Sequence, residues 1–304
     1  MERRRLIALV FLTAILTGCH GGGTDPAQQS SLAAPFAYDA SKPLDVRTEK
    51  KSQASGLEFR DITFKGGGGE TVPAYLIVPS GAGPYPAVVY AHGSQGTRGD
   101  LLLQAIALAQ HGAVAIAPDM NYSSTRGATS LPAGIQGLET KTNSEVQAVV
   151  EVRRAVDVLL SLPNVDKDRI GYVGWSAGAR TGAIVAGVDH RIRAFDLLAG
   201  GAASVSAYLA YAPPNMRRQL RGLLTKTDPL QYAPHAAPSA LLFQDGRYDE
   251  IVPRSSLVGL ARAGSKPKEI HWYQTGHTPG EAAWAYSQKW LSRHLGLTLK
   301  ASKA

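Results

Sequence analysis

The sequence predicts an α/β protein built on a mostly parallel sheet with helices on both faces. Two short, wholly apolar runs, 87–91 and 113–117, are separated by a segment that can form a helix. Unbroken runs of this kind are typical of parallel strands covered on both sides. A Gly-x-Ser-x-Gly sequence at 174–178 lies between another apolar run and a segment of small residues. A serine between a strand and a helix indicates a sharp turn at the edge of such a sheet.

Eight strands are expected, with helices in the intervals. Two of them alternate between apolar and polar side chains, and most of the later runs are nearly all apolar. In chain order they are 57–64, 72–78, 87–91, 113–117, 169–173, 192–198, 239–243 and 269–273. The pattern shows no internal repeat and no second domain, so one domain over 56–297 is predicted.

The helices are expected at 101–110, 145–161 and 280–295, and in part of 202–226 with an interruption at Pro213-Pro214. Apolar residues recur at helical spacing in 145–161, and its charged residues are expected to face water. These charged residues are Glu151, Arg153, Arg154 and Asp157. Residues 120–143 and 202–232 are expected to cover the active edge of the sheet and to shape a pocket there.

Composition indicates a globular protein and disfavours nucleic-acid binding. The chain has 304 residues, of which 44% are hydrophobic and 18% charged. The formal net charge of +8 is spread along the chain rather than gathered in a block. A mildly basic surface suits anionic lipid or acidic substrates equally well.

The N-terminus resembles a bacterial lipoprotein signal. Three arginines precede an apolar stretch, 6–16, which is too short to span a bilayer comfortably, and Leu16-Thr17-Gly18-Cys19 follows. That tetrapeptide is similar to a lipobox, which implies cleavage after residue 18 and acylation of Cys19, including by palmitate. Cys19 is also the one cysteine of the chain. An ordinary secretory signal with an incidental cysteine is the alternative.

The expected organisation is therefore a signal peptide at 1–18, a tether and lead-in at 19–55, and the catalytic domain. The protein is expected to be lipid-anchored in the cell envelope, outside the cytoplasm. In the lipoprotein family, Asp after the cysteine marks retention in the inner membrane. His20 stands there instead, which favours the outer membrane in a diderm source.

Serine becomes a strong nucleophile when a base takes its proton and an acid orients the base. Candidates follow the later strands, where the carboxyl ends of parallel strands meet. Asp249 follows the run 239–243, and His277 follows the last run. Asp245 and Glu250 compete with Asp249 for the role of the acid. The order Ser176, Asp249, His277 is that of the α/β-hydrolase fold.

Four motifs together resemble the α/β-hydrolase superfamily, in its dienelactone hydrolase-like and acyl-peptidase-like serine esterase branches. They are His92-Gly93, the 174–178 turn, Gly246-x-x-Asp249-x-x-Val252-Pro253 and Gly276-His277, within a resemblance that covers about 57–295. The resemblance implies Ser176 as nucleophile, His277 as general base and then acid, and Asp249 as the residue that holds the imidazole. Dienelactone hydrolases proper use cysteine as nucleophile, so the serine here favours general ester hydrolysis.

Two N–H donors are needed to stabilise the oxyanion. Ala177 is expected to supply one, and by analogy with the family Ser94 supplies the other, with Gln95 as the alternative. His92 is expected to fix its loop. Arg98 is either a substrate-carboxylate contact or, more simply, a surface residue. No metal or cofactor is expected, because the chain has neither a His-Glu-x-x-His sequence nor a cysteine cluster.

The sequence thus predicts a serine hydrolase that cleaves small-molecule carboxylic esters and is tethered to the membrane through Cys19. A serine peptidase of the acyl-peptidase type is one alternative. The short segment before the domain argues against it, because that branch usually carries an N-terminal propeller. The other alternative is a binding lipoprotein that keeps the fold without turnover. Such proteins generally lose a triad residue.

Overall fold

The computed structural model describes residues 26–126, 133–202 and 205–299, and a single nine-stranded sheet runs through them. The strands are β1 (Arg47–Ala54), β2 (Leu57–Lys65), β3 (Thr71–Pro79), β4 (Tyr85–Ala91), β5 (Val114–Pro118), β6 (Val165–Trp175), β7 (Ile192–Leu198), β8 (Ala240–Gly246) and β9 (Lys268–Tyr273). Their order in the sheet is β1-β2-β3-β5-β4-β6-β7-β8-β9. The β1–β2, β2–β3 and β3–β5 pairings are antiparallel. All pairings in the rest of the sheet, β5-β4-β6-β7-β8-β9, are parallel.

Helices cover both faces of the sheet, as predicted. They are α1 (Pro26–Ala33), α2 (Leu102–Gln110), α3 (Gly134–Ser161), α4 (Ala177–Val188), α5 (Val205–Ala210), α6 (Arg217–Lys226), α7 (Arg254–Ala263) and α8 (Glu281–Leu295). Residues of α2 and α8 belong to one buried apolar cluster, and residues of α3, α4 and α7 belong to the other. Among the described helices, none has the length and apolar character needed to cross a bilayer.

The sheet has nine strands rather than the expected eight, because β1 lies in the segment predicted as a lead-in. All eight residues of β1 are exposed, and the strand is joined to β2 through its main chain. A polar edge strand of this kind has no alternating pattern for the sequence to reveal. Phe36 in the same segment is fully buried, so the fold begins before residue 56. The predicted signal peptide and Cys19 lie outside the described residues.

The helix expected at 145–161 starts eleven residues earlier, at Gly134, within the segment predicted as a loop. Its first turns pack with α5 and α6 around a small apolar cluster of their own. The buried members of this cluster are Leu209, Ala212 and Leu220, against which Ile135 and Leu138 pack. These three helical segments form a cap, a name used below for residues 134–144, α5 and α6.

The charged side chains of α3 do not face water as predicted. Glu151 is 0% exposed and Arg154 is 1% exposed. The reason is that α3 is covered twice, by the sheet on one side and by the segment around Phe36 and Tyr38 on another. The guanidinium of Arg154 is satisfied by the carbonyls of Lys42, Pro43 and Lys65 and by the carboxylate of Asp157, each at 3.1 Å.

Candidate active site

Ser176 occupies the turn between β6 and α4 in a strained conformation. Its φ of 55° and ψ of −112° lie in a region that non-glycine residues seldom adopt. The main chain holds it there, because its N–H donates to Leu198 O at 2.8 Å and its carbonyl accepts from Arg180 N at 3.0 Å. Strain that the surroundings enforce in this way clusters at functional sites. The turn projects the hydroxyl at the carboxyl edge of the sheet.

The close approach of α4 to the sheet requires glycine at 178. A Cβ at this position would lie 2.1 Å from Ala91 O at the end of β4. The first turn of α4 therefore lies directly against the main chain of the neighbouring strand. This packing brings the loop that follows β4 next to Ser176, and Gly93 lies beside the Ser176 side chain.

The structure brings Ser176, His277 and Asp249 into one hydrogen-bonded chain. Nε2 of His277 lies 2.9 Å from Ser176 Oγ, and Nδ1 lies 2.9 Å from Asp249 Oδ2. The N–H groups of Ile251 and Val252 donate to Asp249 Oδ1 at 2.9 and 2.8 Å, which fixes the carboxylate. A carboxylate at Nδ1 keeps the proton on that nitrogen and leaves the Nε2 lone pair for the serine hydroxyl.

The two competing carboxylates do not reach the imidazole. Asp245 is buried at the end of β8, where burial and then the charge of Asp249 raise its pKa to about 7. Glu250 accepts a hydrogen bond from the main-chain N–H of His277 at 3.2 Å, so it positions the loop rather than the ring. Of the three candidates, Asp249 is the one whose side chain contacts the histidine ring.

The two candidate oxyanion donors in the loop after β4, Ser94 and Gln95, differ in whether their main-chain N–H is already occupied. The N–H of Gln95 donates to Tyr122 O at 3.1 Å and is therefore occupied. The N–H of Ser94 has no acceptor among the residues that the structure describes. Ala177 is the first residue of α4, where main-chain N–H groups have no intrahelical acceptor. Ser94 and Ala177 both line the same cleft as Ser176.

The chain belongs to the dienelactone hydrolase family. It matches the sequence profile of that family over residues 72–279. This range includes Ser94, Ser176, Ala177, Asp249 and His277. The family is named for hydrolysis of a lactone, which is an ester, and the match supports the chain as a carboxylic ester hydrolase. The predicted α/β-hydrolase fold is confirmed.

Solved esterase structures resemble the whole domain. Acetyl xylan esterase 1 from Thermoanaerobacterium sp. is 19% identical with a TM-score of 0.74, and the match covers 89% of this chain and 94% of that one. Acetyl xylan esterase from Paenibacillus sp. R4 is 20% identical with a TM-score of 0.72, covering 88% and 94%. A glucuronoyl esterase from Solibacter usitatus is 14% identical with a TM-score of 0.62, covering 88% and 92%. At these identities the likeness shows the fold alone.

In this hydrolase, hydrogen bonds join the loop that contains His92 to the loop that follows β5. His92 Nδ1 lies 2.6 Å from Gly93 O, and its Nε2 accepts from Met120 N at 3.1 Å. The hydroxyl of Tyr122 donates to His92 O at 3.2 Å. Burial lowers the pKa of His92, in keeping with a neutral ring that has one donor and one acceptor nitrogen. His92 thus fixes its loop, as expected.

Glu151 holds the loop that follows β5, a role that its sequence pattern alone did not suggest. Its carboxylate accepts hydrogen bonds from Asn121 N at 2.9 Å, Arg126 Nη1 at 2.8 Å and Gln147 Nε2 at 2.9 Å. Burial raises the pKa of Glu151 to about 6, so it is largely ionised at neutral pH. The signal that could have revealed it is its place in Val149-Val150-Glu151-Val152, where apolar neighbours surround the charge.

Arg98 lies outside the cleft and is not a free surface residue. Its guanidinium donates to both carboxylate oxygens of Asp61, at 2.6 and 3.2 Å, and lies 4.3 Å from the centroid of the Tyr75 ring. Its main-chain N–H donates to Asp119 Oδ1 at 2.6 Å. Arg98 therefore ties the loop after β4 to the strands β2 and β3, and it is not among the residues that line the cleft beside Ser176.

A cleft of about 1460 Å³ opens beside Ser176. The cap supplies one wall through Thr140, Lys141 and Arg221, and α4 supplies another through Thr181 and Ile184. Polar and apolar side chains both line the cleft, and apolar atoms make up more of its surface. Within the part of the chain that the structure describes, no three His, Cys, Asp or Glu side chains are grouped so that they could hold a metal ion.

Proposed function

We propose that the hydrolase cleaves carboxylic esters through an acyl-enzyme on Ser176. The observation that carries the proposal is the chain of hydrogen bonds from Ser176 Oγ through the imidazole of His277 to Asp249. A serine whose hydroxyl points at the free nitrogen of an oriented histidine is arranged for nucleophilic attack. The three residues act as nucleophile, general base and orienting acid.

In the first step Ser176 Oγ attacks the ester carbonyl carbon while its proton moves to Nε2 of His277. The oxyanion that forms accepts hydrogen bonds from the N–H groups of Ser94 and Ala177. The bond between the carbonyl carbon and the alcohol oxygen then breaks, and the alcohol leaves with the proton from Nε2. Water attacks the acyl-enzyme in the same way, and Ser176 recovers its proton when the carboxylic acid is released.

An active-site probe tests the proposal. A fluorophosphonate reacts with a serine that a base activates, so we expect it to label the wild-type protein and not Ser176→Ala. Equal labelling of the two proteins, or no labelling of the wild type, overturns the mechanism. Acetate esters and aminoacyl amides measured side by side then separate an esterase from a peptidase.

Two further variants test which carboxylate orients the imidazole of His277. Asp249→Asn keeps the shape but offers Nδ1 of His277 no carboxylate, and we expect kcat to fall by about 10³- to 10⁴-fold. Asp245→Asn is the matched control, because Asp245 lies nearby, is buried and does not contact the imidazole. Equal losses in the two variants would contradict the assignment to Asp249.

We also propose that acylated Cys19 holds the hydrolase at a membrane surface outside the cytoplasm. The support is the lipobox-like Leu16-Thr17-Gly18-Cys19 after a short apolar stretch. Stable anchoring needs more than one acyl chain, and the family modification supplies several. Radiolabelled palmitate should enter the wild type and not Cys19→Ser. Unchanged incorporation into the variant excludes this anchor.

A further inference from the structure

The outer surface of the cap carries an excess of positive charge. Residues 205–226, which comprise α5, α6 and the turn between them, contain four basic side chains and no acidic one. The basic residues are Arg217, Arg218, Arg221 and Lys226, and all four are exposed. The adjoining residues 134–144 contain one acidic and one basic side chain, whose charges cancel. The fold thus collects on one surface a net +4 of the formal +8 that the sequence distributes without a block.

The charges of α6 are not compensated by the rest of the protein. Arg218, Arg221 and Lys226 have no carboxylate within ion-pair distance among the residues that the structure describes. Arg217 donates from Nε to Ala212 O at 3.0 Å, which is a neutral partner. Arg217 and Arg221 are four residues apart, a spacing at which like charges on a helix repel each other. An anionic partner outside the chain would relieve this repulsion.

Helix α6 offers charge to a partner but no apolar face. Its Leu220 is buried with Leu209 and Ala212 in the apolar cluster of the cap, and Leu224 packs against them. A helix that inserts into a bilayer needs a free apolar side. Helix α6 is therefore suited to lie against a charged surface through its basic side chains and not to enter an apolar layer.

Two tyrosines in the same segment project into solvent. Tyr208 is 52% exposed and Tyr211 is 94% exposed. The hydrogen bond from Arg217 to Ala212 O, next to Tyr211, keeps these tyrosines beside the basic residues of α6. Tyrosine has an apolar ring and a polar hydroxyl, so it suits the boundary between lipid and water.

The same surface borders the mouth of the cleft. Arg221 is exposed and also lines the cleft that contains Ser176. Val205 and Thr225 line it as well, and so does Ile251, whose apolar side chain is 65% exposed. An extended partner that contacts α5 and α6 therefore lies beside the entrance to the active site.

We propose that residues 205–226 form a docking surface for a lipid bilayer that contains anionic phospholipid. The basic side chains of α6 contact the headgroup phosphates, and Tyr208 and Tyr211 enter the headgroup layer. A soluble polyanion matches the charge but offers no apolar boundary to the two tyrosines, which favours the bilayer. The inference goes beyond the proposed anchor, because acylated Cys19 tethers the chain whereas this surface orients the domain with its cleft beside the membrane.

Sedimentation with vesicles tests the inference on the full chain with Cys19→Ser, which has no acyl chain at that residue. We expect binding to vesicles of phosphatidylglycerol and phosphatidylcholine to be at least about tenfold tighter than binding to phosphatidylcholine alone. High salt should remove most of this preference, because it screens exposed charges. Equal binding to the two kinds of vesicle overturns the inference. Binding to heparin, a soluble polyanion, without binding to either vesicle also overturns it.

Arg218→Gln combined with Lys226→Gln removes two cations of the docking surface, and neither residue lines the cleft. We expect affinity for the anionic vesicles to fall by about tenfold or more, since each basic residue near an anionic surface contributes about fivefold. Arg47→Gln combined with Lys50→Gln is the matched control, because it removes two exposed cations from β1 and changes the net charge equally. Equal losses in the two double variants would mean that overall charge, and not this surface, determines binding.

A fluorescent dye reports which surface meets the bilayer. Cys19 is the one cysteine of the chain, so Tyr211→Cys in the Cys19→Ser protein gives a single thiol for a dye that is sensitive to polarity. Leu103→Cys in the same background is the control, because Leu103 is 76% exposed on α2, which packs in the other apolar cluster of the sheet. Anionic vesicles should shift the emission to the blue at position 211 and leave it unchanged at position 103. No shift at 211, or equal shifts at both positions, overturns the proposed orientation.

The proposed function fails separately, in the fluorophosphonate experiment. Both double variants should be labelled like the wild type, because the substituted residues are exposed and lie outside the triad. A protein that is labelled and binds both kinds of vesicle equally has lost this inference and kept the mechanism. A protein that prefers anionic vesicles through residues 205–226 and is not labelled has kept the docking surface and lost the mechanism.

Discussion

The indole N–H of Trp175 donates a hydrogen bond to the main-chain carbonyl of His277, with nitrogen and oxygen 3.2 Å apart. The two rings are also neighbours, with centroids 5.8 Å apart. Trp175, which precedes Ser176, therefore holds the loop that carries His277. The end of β6 thus helps to set the distance between the Ser176 hydroxyl and the His277 imidazole.

Trp175→Phe keeps an aromatic ring and removes this bond. We expect kcat to fall by about two- to tenfold with little change in KM, because one net hydrogen bond is worth about 1 kcal/mol and positions the base rather than the substrate. Steady-state kinetics on a soluble acetate ester measure the effect. Trp284→Phe is the control, since the Trp284 side chain packs in the apolar cluster on one face of the sheet. Similar losses in both variants would attribute the effect to general packing.

Gly178→Ala tests the close approach of α4 to β4. The added Cβ would meet Ala91 O at 2.1 Å, and neither partner can move without shifting main chain. We expect the free energy of unfolding to fall by about 3 kcal/mol or more, together with loss of fluorophosphonate labelling.

Gly222→Ala is the matched control for that prediction. Gly222 lies in α6, and a Cβ there would meet nothing within 4 Å. Alanine in an open helical position should stabilise the protein by about 0.5–1 kcal/mol in urea unfolding. A Gly178→Ala protein as stable as wild type would show that the helix is not held as tightly as the distance implies.

The sequence revealed those parts of the fold that leave a pattern in the residues. The buried strands are apolar throughout, and the turn at 174–178 needs glycine on both sides of the serine, so both could be predicted. The chain order of Ser176, Asp249 and His277 follows from placing each after a strand. The structure then places the three side chains in contact.

Features that depend on tertiary contacts could not be predicted. The first turns of α3 contain Gly134 and Gly137 and become helical by packing against the cap cluster. Charge alone suggested that Glu151 faces water, but α3 is covered on two sides, and three donors from the chain satisfy the buried carboxylate. The difference between Ser94 and Gln95 as candidate oxyanion donors depends on Tyr122 O, which accepts from the main-chain N–H of Gln95 and belongs to a loop distant in sequence.

Arg154→Met tests how the segment before β1 is held. The substitution leaves the carbonyls of Lys42, Pro43 and Lys65 without their donor, and we expect the free energy of unfolding to fall by about 2–4 kcal/mol. Limited proteolysis should cut the variant before residue 47 sooner than the wild type.

Arg293→Met is the control for the arginine substitution. Its side chain is 60% exposed and lies 3.6 Å from Glu269, and exposed pairs of this kind contribute about 0–1 kcal/mol. Equal effects of the two substitutions would mean that the buried guanidinium does not hold the segment.

Asp196 in β7 predicts how stability depends on pH. The side chain is fully buried, and its Oδ1 accepts from Gln244 Nε2 at 2.9 Å, while Oδ2 has no partner among the described residues. Burial raises its pKa to about 7, and the hydrogen bond from Gln244 opposes the shift. In the unfolded chain an aspartate loses its proton near pH 4. Folding therefore takes up a proton between about pH 4 and pH 7.

Asp196→Asn should remove this dependence, because asparagine stays neutral and keeps an oxygen for Gln244. Since the wild type loses stability as pH rises from about 4 to about 7, the free energy of unfolding of the variant minus that of the wild type should increase over this range. The limiting slope is about 1.4 kcal/mol per pH unit, and the difference should be constant above pH 8. Urea unfolding of both proteins at pH 5, 6, 7 and 8 measures it. A difference that is constant, or that shrinks as pH rises, would show that the buried carboxyl is already ionised at pH 5.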